Sequence, residues 1–304
     1  MEFDVIVIGA GPAGVTSAIY ADRAGLKTLI LEKMFVGGQV VNTSEVENYP
    51  GLGLVGGTEL AMKFDAHIKE FKDIVFKRED VIDVELDGAT KKVITKRGEY
   101  TAKTVILTMG AKPKLLGVEG EQKFAGRGVS YCGTCDGALY RGKDVVVVGG
   151  GNTAVEDAIF LSRLCNKVHI VHRRDEFRAQ KTLVKNMLGI ENVQVHYDCV
   201  VEEIKGENAV DTIAIVNKLT GEQTAISADC VFITVGQVPS NKLVEGKVKL
   251  NEAGYIVTNE HMATSVDGVF AAGDGRENVL KQIIVATGEG AIAAYSASVY
   301  IANM

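Results

Sequence analysis

A run of four branched residues that ends in a glycine-spaced turn occurs twice in this chain, and nothing else in it restricts the fold as strongly. Val5-Ile6-Val7-Ile8 leads into Gly9-Ala10-Gly11-Pro12-Ala13-Gly14, and Val145-Val146-Val147-Val148 leads into Gly149-Gly150-Gly151-Asn152-Thr153-Ala154. A short unbroken run of this kind reads as a parallel strand buried on both faces. In the turn the first glycine reverses the chain and the second admits a pyrophosphate. The third small residue lets the helix pack on the strand, and Ala154 is an allowed substitute there. Helices are expected over 13–24 and from 152 to about 164, with second strands over 27–31 and 168–171. Each helix N-terminus offers free N–H donors to phosphate. The class expected is α/β, with two Rossmann-like dinucleotide-binding domains.

The two units differ where the second strand ends. In the first, Glu32 stands there, able to accept hydrogen bonds from both hydroxyls of an unphosphorylated ribose and to repel a 2′-phosphate, so FAD or NAD is expected over NADP. In the second the acid is replaced by His172-Arg173-Arg174, with Arg178 close behind. Guanidinium groups offer planar, charged donors to phosphate oxygens, which points to NADPH.

Between the units lies Tyr131-Cys132-Gly133-Thr134-Cys135-Asp136-Gly137. Two thiols at this spacing can close a small disulfide, and the acid that follows can manage protons during exchange. The other three cysteines, 165, 199 and 230, stand apart. Cys165 and Cys230 read as small buried hydrophobes; Cys199 is not assigned. His67 lies on the apolar stripe of a helix over 58–71 and reads as a packed residue. His169 and His196 lack ligand spacing, and no metal site is expected. Gly37-Gly38-Gln39 and Glu47-Asn48-Tyr49-Pro50-Gly51 read equally as surface loops or as backbone laid against a planar group. Gly273-Asp274 ends a short strand, followed by Lys281-Gln282 and a helix from about 288 rich in small residues, whose N-terminus is expected to approach a flavin carbonyl.

Glycine is frequent (34) and proline scarce (4) in these 304 residues, as suits many strand-to-helix turns. The net charge of −6 without a basic run argues against nucleic acid. No secretory leader is read at the N-terminus and no apolar run long enough to cross a bilayer, so a cytoplasmic protein with no membrane partner is expected.

In order and over nearly the whole length, these motifs resemble those of the low-molecular-weight, bacterial-type thioredoxin reductases. The cysteine pair placed just ahead of the second nucleotide turn separates that group from the glutathione reductase type, whose cysteines lie in the first unit. The resemblance implies an FAD domain in two parts, 1–113 and 243–304, with an NADPH domain inserted over 114–242. It implies a homodimer and a large rotation between the domains. It also implies that Cys135 faces the flavin, Cys132 attacks the disulfide of thioredoxin or a similar small protein, and Asp136 handles protons. Gly9, Gly11, Pro12, Ala13, Gly14, Glu32, Gly38, Gln39, Asn48, Gly273, Asp274, Lys281 and Gln282 would then serve FAD. Gly149, Gly151, Asn152, Thr153, Ala154, His172, Arg173, Arg174 and Arg178 would serve NADPH. The chain departs from the family at Gly133, where many members have Ala, at Lys281, usually Arg, and at Gly275, usually larger. A glutaredoxin-like carrier, a ferredoxin-driven reductase and a non-catalytic flavin sensor are the competing readings.

Overall fold

The computed structural model describes residues 2–43 and 45–304. The chain forms two compact units: Met1–Val41, Tyr49–Lys112 and Val238–Met304 make the first, Asn42–Asn48 and Pro113–Gln237 the second.

The first unit begins with β1 (Glu2–Ile8), α1 (Pro12–Arg23) and β2 (Thr28–Glu32), within a residue or two of the ranges expected. α2 (Gly57–Ile68) follows, burying Leu60, Phe64 and Ile68. His67 departs from the expectation: it faces solvent, its ring 5.6 Å from that of Phe71. Four strands come next: β3 (Ile74–Arg78), β4 (Val81–Glu85), β5 (Lys91–Thr95) and β6 (Gly98–Leu107). The sheet order is β3-β2-β1-β6-β5-β4, parallel as far as β6 and antiparallel beyond it. β5 pairs only with the first part of β6.

The second unit contains β7 (Val129–Ser130), α3 (Gly133–Asp136), β8 (Asp144–Val148), α4 (Asn152–Ser162), β9 (Lys167–Val171), α5 (Lys181–Leu188) and β10 (Val193–His196). β11 (Cys199–Gly206), β12 (Val210–Asn217), β13 (Gln223–Ser227) and β14 (Cys230–Ile233) complete it. Its main sheet, β7-β14-β8-β9-β10, is parallel throughout. The period of two in β8 explains its four valines: Val145 and Val147 pack with Ala154, Val155, Ala158 and Leu161 of α4, while Val146 and Val148 pack with Ile204, Ile213, Ile215 and Ile226 of the small antiparallel sheet. β10, β11 and β12 follow one another closely, with two short breaks between them. Asp198 makes the first break in the left-handed conformation, φ 55°, which Asp tolerates better than most residues.

The chain then returns to the first sheet. β15 (Val269–Ala271) runs parallel to β6 at Val105, Ile106 and Leu107, on the part of β6 that β5 leaves free. The last helix, α6 (Ile283–Ala302), starts five residues before the expected 288. Its opening residues Ile283, Ile284 and Val285 are β-branched and disguise the helix in a propensity reading. Its small residues pack against α1. Gly290, Ala293, Ala294 and Ala297 are buried, and Ser17 of α1 donates to the Gly290 carbonyl at 3.1 Å. By length and hydropathy alone α6 passes as a membrane span, contrary to the sequence expectation; packing of this face on α1 and the buried Glu289 mark it as a core helix of the first unit. A Cβ on Gly290 would lie 2.3 Å from the Ala13 carbonyl oxygen. Gly290→Val is therefore expected to lower stability by about 1–3 kcal/mol, measured by chemical denaturation.

Candidate functional site

Cys132 and Cys135 are joined by a disulfide. Cys132 caps α3, its Sγ accepting the Cys135 N–H at 3.2 Å, and the Asp136 N–H donates to the Cys132 carbonyl at 3.2 Å. Two glycines seat α3 on α4. A Cβ on Gly133 would meet the Asp157 carboxyl carbon at 2.6 Å, and one on Gly137 would meet Leu161 Cδ2 at 2.7 Å. At Gly133 the missing side chain leaves room for the Asp157 carboxylate.

Asp136 is largely buried. Its Oδ2 accepts from Ser130 Oγ at 2.7 Å, while its buried Oδ1 has no partner. Burial raises its pKa and the Ser130 hydrogen bond only partly offsets this, so the acid keeps its proton to higher pH than a free aspartate. Asp157 is 5% exposed and accepts the Gly133 N–H at 3.3 Å. Burial pushes it up to about 6. Tyr131 donates to Glu121, whose carboxylate also accepts the N–H groups of Leu116 and Gly117, pinning the segment ahead of the cysteines.

In the first glycine turn Gly9 has φ +108°, and a Cβ on Gly14 would lie 1.9 Å from the Gly9 carbonyl oxygen. Gly11 precedes α1 without a side-chain cap, and Pro12 occupies the first helical turn, where no N–H is missed. Ala13 is buried. Gly37 donates to the Ala10 carbonyl at 2.8 Å, which brings Gly38 close to Gly11 and starts the short 3₁₀ turn Gly38–Asn42 containing Gln39. Glu32 accepts the N–H groups of Ala10 at 3.1 Å and Met34 at 2.9 Å, which fixes its carboxylate at the strand tip. Asn48 is exposed and lies in Asn42–Asn48, a segment of the second unit.

The second turn has the same plan. Gly151 caps α4 with no side-chain bond and with open space beside it; Asn152 Oδ1 accepts the Gln180 N–H at 2.9 Å, Thr153 is exposed and Ala154 is buried. The Arg178 N–H donates to the Gly150 carbonyl at 2.8 Å, drawing the arginine segment over the turn. Arg173, Arg174 and Arg178 are exposed and form no ion pair among the described residues. His172 differs from them: it is buried, its Nε2 donates to the Glu176 carbonyl at 2.9 Å, and its ring stacks on Phe177. That ring fills the space a Cβ on Gly150 would need.

Beyond β15, the Gly273 N–H donates to Glu289 Oε2 at 2.8 Å, and Arg276 pairs with the other oxygen of Glu289. Burial raises Asp274, opposed by Lys281. Lys281 Nζ donates to the Asp274 carbonyl at 3.3 Å and lies 3.7 Å from the centre of the Tyr255 ring; Gln282 precedes α6. The free thiols Cys165, Cys199 and Cys230 are buried, and burial raises all three.

The family pattern described as "Pyridine nucleotide-disulphide oxidoreductase" matches residues 3–290. The chain belongs to this family. A thioredoxin reductase of Bacillus subtilis is 47% identical over 305 aligned positions, covering 99% of this chain and 96% of the relative. The crystal structure of thioredoxin reductase from Streptococcus pyogenes matches with TM-score 0.94 at 43% identity, covering 100% and 99% of the two chains. A ferredoxin-flavin thioredoxin reductase from Clostridium acetobutylicum matches with TM-score 0.54 at 30% identity, covering 100% and 99%.

As a pyridine nucleotide-disulphide oxidoreductase, the protein works with FAD and a pyridine nucleotide, and the two turns suit such groups. Both present an uncapped helix start at a glycine whose missing side chain leaves the approach open. Sequence reasoning missed Ser130, Asp157, Arg276 and Glu289, which meet their partners through distant chain segments. It also missed a readable signal, the repeated Thr-x-Gly of Thr108-Met109-Gly110 and Thr234-Val235-Gly236. Each threonine hydroxyl donates to the carbonyl that ends the strand leading into a glycine turn, Ile8 of β1 at 2.9 Å and Val148 of β8 at 3.0 Å.

Asp157 also sets a pH dependence. The folded chain holds this proton to about pH 6, against 3.8 for an ordinary aspartate. Between these values the folded state binds more protons than the unfolded one, so stability falls as pH rises through the window. Asp157→Asn removes that loss. The variant is expected to exceed the parent by on the order of 2–3 kcal/mol above pH 6, with the gain vanishing below pH 4, in denaturation curves across that range.

Proposed function

We propose that the protein is an NADPH-dependent reductase of a small disulfide protein of the thioredoxin type. The observation that carries the choice of nucleotide is the set of exposed guanidinium groups of Arg173, Arg174 and Arg178, which form no ion pair among the described residues and are held beside the second turn by the Arg178–Gly150 backbone bond. In this reading Gly149, Gly151, Asn152, Thr153 and Ala154 shape the pyrophosphate site, and the three arginines bind the 2′-phosphate. His172 supports Gly150 from below and contributes no direct bond to phosphate. Gly9, Gly11, Pro12, Ala13, Gly14, Gly38 and Gln39 shape the flavin nucleotide site, and Glu32 takes the ribose hydroxyls. Asp274, which follows the Gly273 whose N–H is held by Glu289, serves the flavin chain together with Lys281 and Gln282.

FAD held by the first turn would supply the two-electron relay between the nicotinamide and the disulfide. Cys132, partly exposed, then attacks the partner's disulfide, and Cys135 resolves the mixed disulfide. Asp136 supplies a proton to the departing thiolate and takes it back on the return leg; its unpartnered buried oxygen and raised pKa suit that exchange. A homodimer belongs to the same reading, supported by the exposed apolar side chains Ile284, Ile292, Tyr295 and Val299 along α6.

The ferredoxin-driven reading draws on the Clostridium acetobutylicum match. Anaerobic mixing separates the two: NADPH is expected to bleach the flavin absorbance quickly and NADH slowly. Bleaching by neither would reject the nicotinamide site. Arg173→Gln combined with Arg174→Gln is expected to raise KM for NADPH roughly 10–100-fold, about 1.4 kcal/mol per factor of ten, with KM for NADH little changed in steady-state assays.

A further inference from the structure

Asp136 is not the only carboxyl group at the cysteine pair. Asp157, one turn into α4, reaches the other end of α3 and accepts the amide proton of Gly133, the residue that follows Cys132. The approach is so close that any side chain at 133 would displace this carboxylate. Apolar groups surround it. β8 and β9 present Val145, Val147, Val168 and Ile170 to α4, and α5 adds Leu183, Val184 and Met187 while its lysines 181 and 185 are exposed. Tyr140 and Cys230 share this packing, and burial raises both, keeping them neutral. The charged group that acts on it is itself acidic: exposed Glu156 on α4. Among the described residues no cation is paired with Asp157.

We propose that Asp157 is a positioning residue of the dithiol, which fixes the Cys132 turn through the Gly133 amide and, as an anion, keeps the proton on the adjacent Cys132 thiol. This rests on the reductase reading and adds to it a residue that governs how readily the attacking thiolate forms. Reduction breaks the S–S bond and adds two electrons and two protons, giving two thiols. Exchange with a partner starts when Cys132 releases its proton to solvent. A negative charge held at the backbone amide next to Cys132 opposes the release. The reduced enzyme therefore rests as a dithiol and is less open to stray oxidants than a free thiolate would be.

The test needs neither nicotinamide nor thioredoxin, so its result is independent of the reductase assignment. The purified holoprotein is reduced with dithiothreitol, freed of reductant, and alkylated with iodoacetamide between pH 5 and 9; the rate at Cys132 is read by peptide mass spectrometry. Asp157→Asn keeps an oxygen to accept the Gly133 amide proton and loses only the charge. Its alkylation midpoint is expected about one unit below that of the parent, while Glu156→Gln, which removes an exposed charge one residue away, leaves the midpoint in place. Gly133→Ala, whose methyl group displaces the carboxylate without altering α4, is expected to shift it in the same direction and serves if the first variant does not fold. A midpoint in Asp157→Asn equal to that of the parent overturns the proposal. So does an equal shift in Glu156→Gln, since general charge would then account for it.

Discussion

The close approach of a helix to the strand that precedes it is the constraint on which the rest of the structure depends. In the first unit the third residue of the turn has no room for a methyl group, because the Gly9 carbonyl and the Thr108 hydroxyl occupy the site. In the second, Ala154 fits because it packs over Gly149, which has no Cβ of its own. Once the helix is seated, its first N–H groups face the open side of the turn, and the end of the next strand falls where a nucleotide ribose would lie. A charge at that strand end then decides what the turn can hold. Glu32 is locked there by two backbone N–H groups, whereas the arginine segment is tied only through its backbone and leaves its side chains free.

This division explains what the sequence makes legible. Local features are written in contiguous residues: the strand-turn-helix units, the acid-for-arginine exchange and the cysteine spacing all lie within about thirty residues of chain. The strand β15 was also visible, since a short apolar run ending in Gly-Asp has few other uses. Less legible were features set by distant partners. His172 follows its strand in sequence just as Glu32 does, yet it turns inward because Gly150 leaves a hole of the size of an imidazole. The start of α6 was hidden by branched residues, and its small-residue face packs against α1. His67 lies at an apolar spacing but on the solvent side of α2. Periodicity identifies a stripe and leaves its edges open.

The acids show how burial rather than pairing tunes this chain. Glu289 is held by the Arg276 guanidinium group and the Gly273 N–H, an arrangement that stabilises a charge away from water. Asp136 and Asp157 have no such cation, and each receives a single hydrogen bond from the segment carrying the cysteines. Their proton affinity therefore depends on what surrounds them, and the disulfide is the part of those surroundings that changes charge during turnover. Opening it creates up to one thiolate beside two carboxyl groups already short of compensation. Electrostatic cost then favours taking up protons together with the electrons. A cation in place of either acid would do the opposite, stabilising the thiolate and leaving the pair reactive between turnovers. Gly133 and Gly137 are the structural condition for this arrangement, because only a helix face without side chains lets α4 bring a carboxylate so near the cysteine backbone.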